Sequence, residues 1–306
     1  MNVIPPIAIN SVSGVLTSTS ASAEPASSET SWVSAGSYIV GDVRIVVAQH
    51  RKYQCLVSNS GRTTSPELDT SYWLDIGPTN KWAMFDTLRN SATTYAGNLV
   101  TVLTPGQSIN SIAILQTNAT SIIISATSVM GGGTVYNSTF SMFSRLTTGW
   151  YSYFFTSIET RPNLILFDLP TYSDLIVTVT QVGTTVTCGA LILGTYFNLG
   201  YTQLGATVEA LNFSSIDRDI YGNSNLVPRR SVPKTVQVIY IESDRVNSAI
   251  ALRDSLNAIP AVWSGLNEEN THNYFEALLI LGFYKTFTIT MDNQFYSRID
   301  LELEEV

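Results

Sequence analysis

The sequence predicts a mainly β protein with three folded parts: a small three-stranded module, an antiparallel β-sandwich or jelly roll, and a small C-terminal α+β domain. Three observations lead there. Charged residues make up only 13% of the 306 residues, while Ser, Thr, Asn, Val, Ile and Tyr are frequent, a composition suited to pleated sheets and turns. Short β-branched runs recur between Gly and Pro signals with no helical period. A helical spacing first emerges after Pro228-Arg229-Arg230-Ser231-Val232-Pro233. The length exceeds the roughly 250 residues at which one hydrophobic core stops growing, so several domains are expected.

Residues 1–30 are rich in Pro, Ser, Thr and Ala and almost free of aromatics, so they cannot bury enough surface to fold alone. They are expected to form an extended arm, either disordered or lying along a neighbouring subunit or an adjacent domain. Residues 31–80 read as a mini-sheet of three strands, Gly41 to Val47, Lys52 to Val57 and Ser71 to Leu74. Its Trp32, Tyr38, Tyr53 and Trp73 either pack that sheet or form an exposed binding face.

Residues 81–230 hold a series of candidate strands. Leu99 to Leu103 precedes Thr104-Pro105-Gly106, and Ser121 to Ala126 precedes Gly131-Gly132-Gly133. Trp150 to Phe155, Asp174 to Thr180 and Thr187 to Gly194 follow. Regular short strands with Gly and Pro punctuation predict the sandwich or jelly roll. In residues 231–306, Thr235 to Ile241 alternates as a strand. Asp244 to Asn257 then sets Val246, Ile250, Leu252 and Leu256 near one helical face, with Ser243 as N-cap. Ala261-Val262-Trp263 reads as a short strand, and Lys285 to Met291 with Arg298 to Leu303 as a closing antiparallel pair.

A net charge of −8 argues against sequence-independent nucleic-acid binding, which needs clustered Lys and Arg to displace counterions. The one tight basic cluster, Arg229-Arg230 with Lys234 nearby, reads as a solvated linker. Cys55 and Cys188 lack CxxC spacing and a neighbouring His, so buried free thiols are expected rather than zinc, consistent with folding in a reducing cytosol. The opening Met1-Asn2-Val3-Ile4-Pro5-Pro6 lacks the basic and apolar regions of a secretory signal. Apolar runs such as Ile112 to Leu115 fall far short of the ~20 residues that span a bilayer.

No enzymatic constellation emerges, and no catalytic residue, metal or cofactor is expected. His50 and His272 are the two histidines, neither with metal-ligand spacing nor beside a nucleophile motif. The acidic neighbours Glu67 with Asp69, Asp217 with Asp219, and Glu268 with Glu269 are poor glycosidase pairs, since sequence neighbours rarely face one cleft. Gly131-Gly132-Gly133 lacks the Lys-Ser/Thr of a phosphate loop and reads as a hairpin turn. Asp217 to Asn223 faintly suggests calcium but lacks the terminal Glu of a dedicated loop.

The stretch Ser37-Tyr38-Ile39-Val40-Gly41-Asp42-Val43, with Tyr53-Gln54-Cys55-Leu56, Pro66 and Trp73, resembles the chitin-binding modules of carbohydrate-binding families five and twelve. The family's short Gly-containing turn is replaced here by Ala48-Gln49-His50-Arg51-Lys52. The resemblance implies sugar stacking on aromatic rings, for which Trp32, Tyr38, Tyr72 and Trp73 are the candidates. The string from Tyr72-Trp73-Leu74-Asp75-Ile76-Gly77-Pro78 through Thr79-Asn80-Lys81-Trp82-Ala83-Met84-Phe85-Asp86 resembles a set of tailed-bacteriophage proteins in which such a module runs straight into a β-sandwich. Met1 to Ile9 and Gly149 to Phe155 look similar to the same set. Physically, Gly77 to Asn80 is expected to be a turn, with Trp73, Pro78 and Trp82 clamping the module to the sandwich.

The resemblance implies a non-enzymatic structural component of a phage particle, assembled in the host cytoplasm, in the tail, baseplate or fibre-attachment region. Its partners would be other virion proteins and copies of itself. The second reading is a receptor-binding lectin that contacts host surface polysaccharide, and the third, much weaker, is a depolymerase.

Overall fold

The computed structural model describes residues 1–144, 149–155, 159–218, 220–266 and 276–306. The described chain is mainly β, in antiparallel sheets, with a small helical share. It divides into two compact units: Met1–Pro6, Ile165–Phe167 and Leu193–Val306 form one, and Ile7–Leu164 with Asp168–Ile192 the other.

The first unit is wider than the expected 231–306 domain. Its eight-stranded sheet runs in the order Phe197–Asn198, Asn2–Ile4, Ala261–Ser264, Leu279–Thr290, Tyr296–Glu305, Ser231–Glu242 and Tyr201–Thr202, with Thr207–Asn212 also paired to Ser231–Glu242. Of the two expectations for residues 1–30, disordered or lying along a neighbour, their start follows the second, extended along a folded domain. Asn2, Val3 and Ile4 lie between two antiparallel neighbours and are fully buried, so apolar burial and two ladders of backbone hydrogen bonds hold them.

Buried residues alternate along Tyr296–Glu305, so one face of this sheet is apolar. The helix Val246–Ser255 covers it: Val246, Ala249 and Leu256 join Val3, Ile239, Trp263, Ile299 and Leu301 in one core, and Ile250 and Leu252 pack on its edge. Ser243 is not the expected N-cap. It opens a 3-10 turn, Ser243–Arg245, and its hydroxyl is buried without a hydrogen-bond partner among the described residues. Gly282 lets the neighbouring strand close in, because a Cβ there would stand 2.0 Å from the Glu304 carbonyl oxygen.

The basic cluster is a solvated linker only in part: Arg229 and Arg230 are exposed in the irregular connection between the strands Ser224–Val227 and Ser231–Glu242, but the charges beyond Arg229 are tied to the sheet. Ser231 already begins a twelve-residue strand, Arg230 pairs with Glu305 at 2.5 Å, and Lys234 pairs with Glu302 at 3.0 Å. These guanidinium and ammonium groups are neutralised by their own sheet.

In the second unit, a five-stranded sheet runs Gly133–Ser141, Ser121–Ser128, Ile176–Val182, Leu99–Leu103 and Leu16–Thr19. Ser121–Ser128 alternates strictly, with Ile122, Ile124, Ala126 and Ser128 buried, because side chains on a strand point to opposite faces. Leu16–Thr19, from the expected arm, forms the edge next to Leu99–Leu103. The run Thr187 to Gly194 is two strands, Thr185–Cys188 and Ala190–Gly194. They break at Gly189, where a Cβ would stand 2.8 Å from the Gln116 Cβ.

Trp150–Phe155 is a six-residue helix rather than the expected strand. The aromatic spacing explains it: Trp150 with Phe154, and Tyr151 with Phe155, lie four residues apart, and their rings meet at 6.4 and 4.9 Å.

The mini-sheet is formed as expected in outline, by Val43–Val46, Arg51–Cys55 and Trp73–Pro78, all antiparallel. Gly77 and Pro78 therefore end a strand, and the turn comes after them, where the Trp82 N–H donates to the Thr79 carbonyl at 3.0 Å.

Cys55 and Cys188 are both free and buried. Burial pushes the Cys188 thiol up to about 12 from an ordinary value of 9.0. The unfolded chain thus loses this proton first as pH rises, so the stability contributed by the neutral thiol is whole below about pH 9 and is lost on the way to about pH 12. Between those values, urea midpoints of the native chain are expected to fall more steeply than those of Cys188→Ala. Parallel slopes would show that the thiol ionises as readily in the folded state.

Candidate functional site

The four aromatics singled out for sugar stacking do not form one exposed face. Tyr38, Tyr53, Cys55 and Trp73 are the buried core of the mini-sheet, with Trp32 and Tyr72 partly buried against it. Tyr38 meets Trp73 edge-on at 5.1 Å, and its hydroxyl donates to the Val33 carbonyl and accepts from the Val33 N–H, both at 2.7 Å. The Arg62 guanidinium lies 3.8 Å from the Tyr72 ring centre and occupies a face of that ring. Arg62 is itself held by Asp69 at 2.7 Å. A module this small has few other apolar groups, so its aromatics go to packing.

Trp73 and Trp82 do not clamp as a pair. Trp73 turns to Tyr38, whereas Trp82 turns to His50 at 5.2 Å and Phe85 at 6.1 Å between ring centres. Pro78, buried at the end of its strand, lines the same recess as His50 and Trp82.

That recess is a concave feature of the second unit. Two cavities of about 210 and 480 Å³ share Asn10, Ser11, His50 and Trp82 in their walls, so they form one groove divided by the His50–Trp82 pair. His50 occupies the left-handed backbone region at φ 55°, where it ends the 3-10 turn Val47–Gln49. Few non-glycine residues take that conformation, and here it aims the imidazole towards Glu24. The Glu24 carboxylate accepts from Thr79 Oγ1 at 2.5 Å, meets His50 Nδ1 at 2.9 Å and lies 3.5 Å from Lys81 Nζ. With its side chain only 6% exposed, Glu24 fixes the strand end, the turn and the basic residue about one point.

The remaining charges at the groove are also engaged. Arg51 is bound to the Asp75 carboxylate, and this bond is the largest cause of its raised pKa. Asp86, whose carboxyl is pushed upward chiefly by burial, accepts from the Ser91 hydroxyl and the Leu88 N–H. Trp82 keeps its indole Nε1–H buried without a hydrogen-bond partner among the described residues.

Of the acidic pairs, Asp69 is an ion-pair partner of Arg62, and Asp217 lies in a hairpin strand, Ser215–Arg218. Asp219, Glu268, Glu269 and His272 lie outside the described residues. Among the described residues, no group of three or more His, Cys, Asp and Glu side chains is placed to hold a metal ion, and no helix is long and apolar enough to cross a membrane.

Compared with protein-family models and with curated proteins, the chain matches none significantly. Sequence reasoning missed Glu24 and Asn10, which fell in the presumed arm; it read His50 as a surface or loop residue, which fits its place after the turn Val47–Gln49, but missed its contacts with Glu24 and Trp82. The usable signal for His50 was its place in the turn that replaces a glycine-containing one.

Proposed function

We propose that this chain is a non-enzymatic structural component of a tailed-phage particle, in its tail, baseplate or fibre-attachment region, which acts by assembling with other virion proteins and with copies of itself. The observation that carries the proposal is the helix Trp150–Phe155. Its Trp150, Tyr151, Tyr153, Phe154 and Phe155 side chains are 52 to 81% exposed. A soluble chain rarely leaves a contiguous aromatic patch in water, because each buried ring contributes favourably at about 25 cal/mol per Å² of apolar area removed from solvent. Six residues are also too few for a stable isolated helix, so a docking partner would stabilise the helix as well as cover it.

Within this reading, the five-stranded sheet and the shorter sheets of the second unit close as a β-sandwich of the jelly-roll kind. The mini-sheet, with its rings turned inward, serves as a rigid spacer. The resemblance of Gly149 to Phe155 and of Tyr72 to Asp86 to tailed-phage proteins supports the same assignment.

The test has two parts. Light scattering on the purified chain should give a mass that is a multiple of the 33.4 kDa protomer. Antibody labelling of intact particles under the electron microscope should place the chain at the tail end. A monomer at all concentrations that is absent from purified particles would defeat the proposal.

A further inference from the structure

We propose that the outer edge of the strand Gly133–Ser141 is a docking surface for the same strand of a second copy, the two running antiparallel about a two-fold axis near Asn137. This deepens the assembly role and rests on the self-association in that reading, because it names one partner and one surface.

Gly133–Ser141 is the last strand of the five-stranded sheet. It is hydrogen-bonded to Ser121–Ser128 on one side and, among the described residues, to no strand on the other. An edge of this kind offers the backbone N–H and C=O groups of alternate residues to a further strand. Folded chains usually blunt such edges with short strands, Lys, Pro or inward-pointing charges. The opposite edge of the same sheet, Leu16–Thr19, is only four residues long. Gly133–Ser141 has nine residues, none of them charged and none Pro, and all are exposed or half-buried. A second copy laid against it brings no like charges together.

The two ends of the strand select the antiparallel self-pair. At the Ser141 end, Arg161 donates from Nη2 to the Ser141 carbonyl at 3.3 Å, while its Nε is buried without a hydrogen-bond partner and no carboxylate pairs with it among the described residues. At the Gly133 end, the Asp174 carboxylate accepts from the Ser128 hydroxyl at 2.7 Å and the Met130 N–H at 2.8 Å, and no cation pairs with it among the described residues. Both side chains belong to half-buried residues. An antiparallel pair sets each copy's Arg161 end against the other's Asp174 end, twice by symmetry. A parallel pair would set like charge against like.

The apolar surfaces fall into the same order. Val129 and Met130, 86 and 75% exposed, lie in the turn before Gly133, whereas the exposed Phe143 and then the aromatic helix Trp150–Phe155 follow Ser141. Each copy's aromatic end therefore comes to the other's Val129–Met130 turn, so one contact accounts for both exposed patches.

The experiment uses the full chain. Sedimentation over a hundredfold range of concentration should show a dimer, and amide exchange along Gly133–Ser141 should slow as concentration rises. Asn137→Lys, at an exposed position, sets two like charges face to face at the axis. It should weaken dimerisation at least about tenfold while the melting temperature of the monomer holds. Arg161→Glu and Asp174→Lys should each weaken dimerisation alone, and an equimolar mixture of the two variants should recover it, since only the mixed dimer sets opposite charges together at both ends. Mixing would not rescue a variant that had merely misfolded. A monomer at every concentration, a dimer indifferent to Asn137→Lys, or a mixture that stays dissociated would each overturn the inference. A monomeric chain whose Gly133–Ser141 amides are protected only within particles would give this edge to a different virion protein and leave the structural role standing. A dimer of this kind that is absent from particles would do the reverse.

Discussion

Val3→Asp should unfold the unit built on the eight-stranded sheet, whereas Val12→Asp, nine residues later in the same Pro/Ser/Thr/Ala-rich segment, should be silent. Val3 is 0% exposed and lies between Phe197 and Trp263 in adjacent strands, while Val12 is 92% exposed. A carboxylate at position 3 would sit in an apolar core and be kept from water, so its cost is expected to exceed about 4 kcal/mol, a large part of the ~5–15 kcal/mol that holds a domain together. At position 12 the change should stay within about 0.5 kcal/mol. Urea unfolding followed by circular dichroism checks both. Similar midpoints for the two variants would mean that the first residues add nothing to that core.

The contrast explains why the sheet was only partly legible. Ser121–Ser128 and Tyr296–Glu305 declare themselves because eight and ten residues of alternation leave one register that buries an apolar face. Asn2–Ile4 is three residues long, too short to show a period, and its strand character comes from neighbours about 200 and 260 positions away. Trp150–Phe155 misleads in the opposite sense. Its aromatics favour strands, yet their spacing also lets rings four residues apart pair on a helix.

The groove was legible only as far as its aromatic ring. Trp82 beside a turn is visible in the sequence, but Glu24 meets His50 across 26 residues and Thr79 across 55, distances at which no motif spacing operates. The aromatics that looked best for binding, Tyr38 and Trp73, were claimed by a core too small to spare them. Local pattern identifies which residues are able to bind; competition for burial decides which are left to do so.

That competition makes the last expected result a matched pair. Trp263→Ala and the double variant Trp150→Ala, Phe154→Ala remove the same kind of side chain and should have opposite consequences. Trp263 is fully buried between the paired strands, meets Tyr284 edge-on at 6.5 Å, and donates its indole N–H to the Gly282 carbonyl at 3.0 Å. Truncation leaves a cavity and deprives that carbonyl of its donor, so a loss of about 3–5 kcal/mol is expected, with any effect on assembly following from unfolding. Trp150 and Phe154 stand largely in solvent, so their removal should cost the isolated chain no more than about 0.5 kcal/mol each while it abolishes or weakens assembly. Denaturation midpoints measured beside light scattering over a hundredfold range of protein concentration separate the two effects. If the double variant destabilises the chain as much as Trp263→Ala does, the aromatic helix belongs to the chain's own core, and the contact surface on which the structural assignment rests is lost.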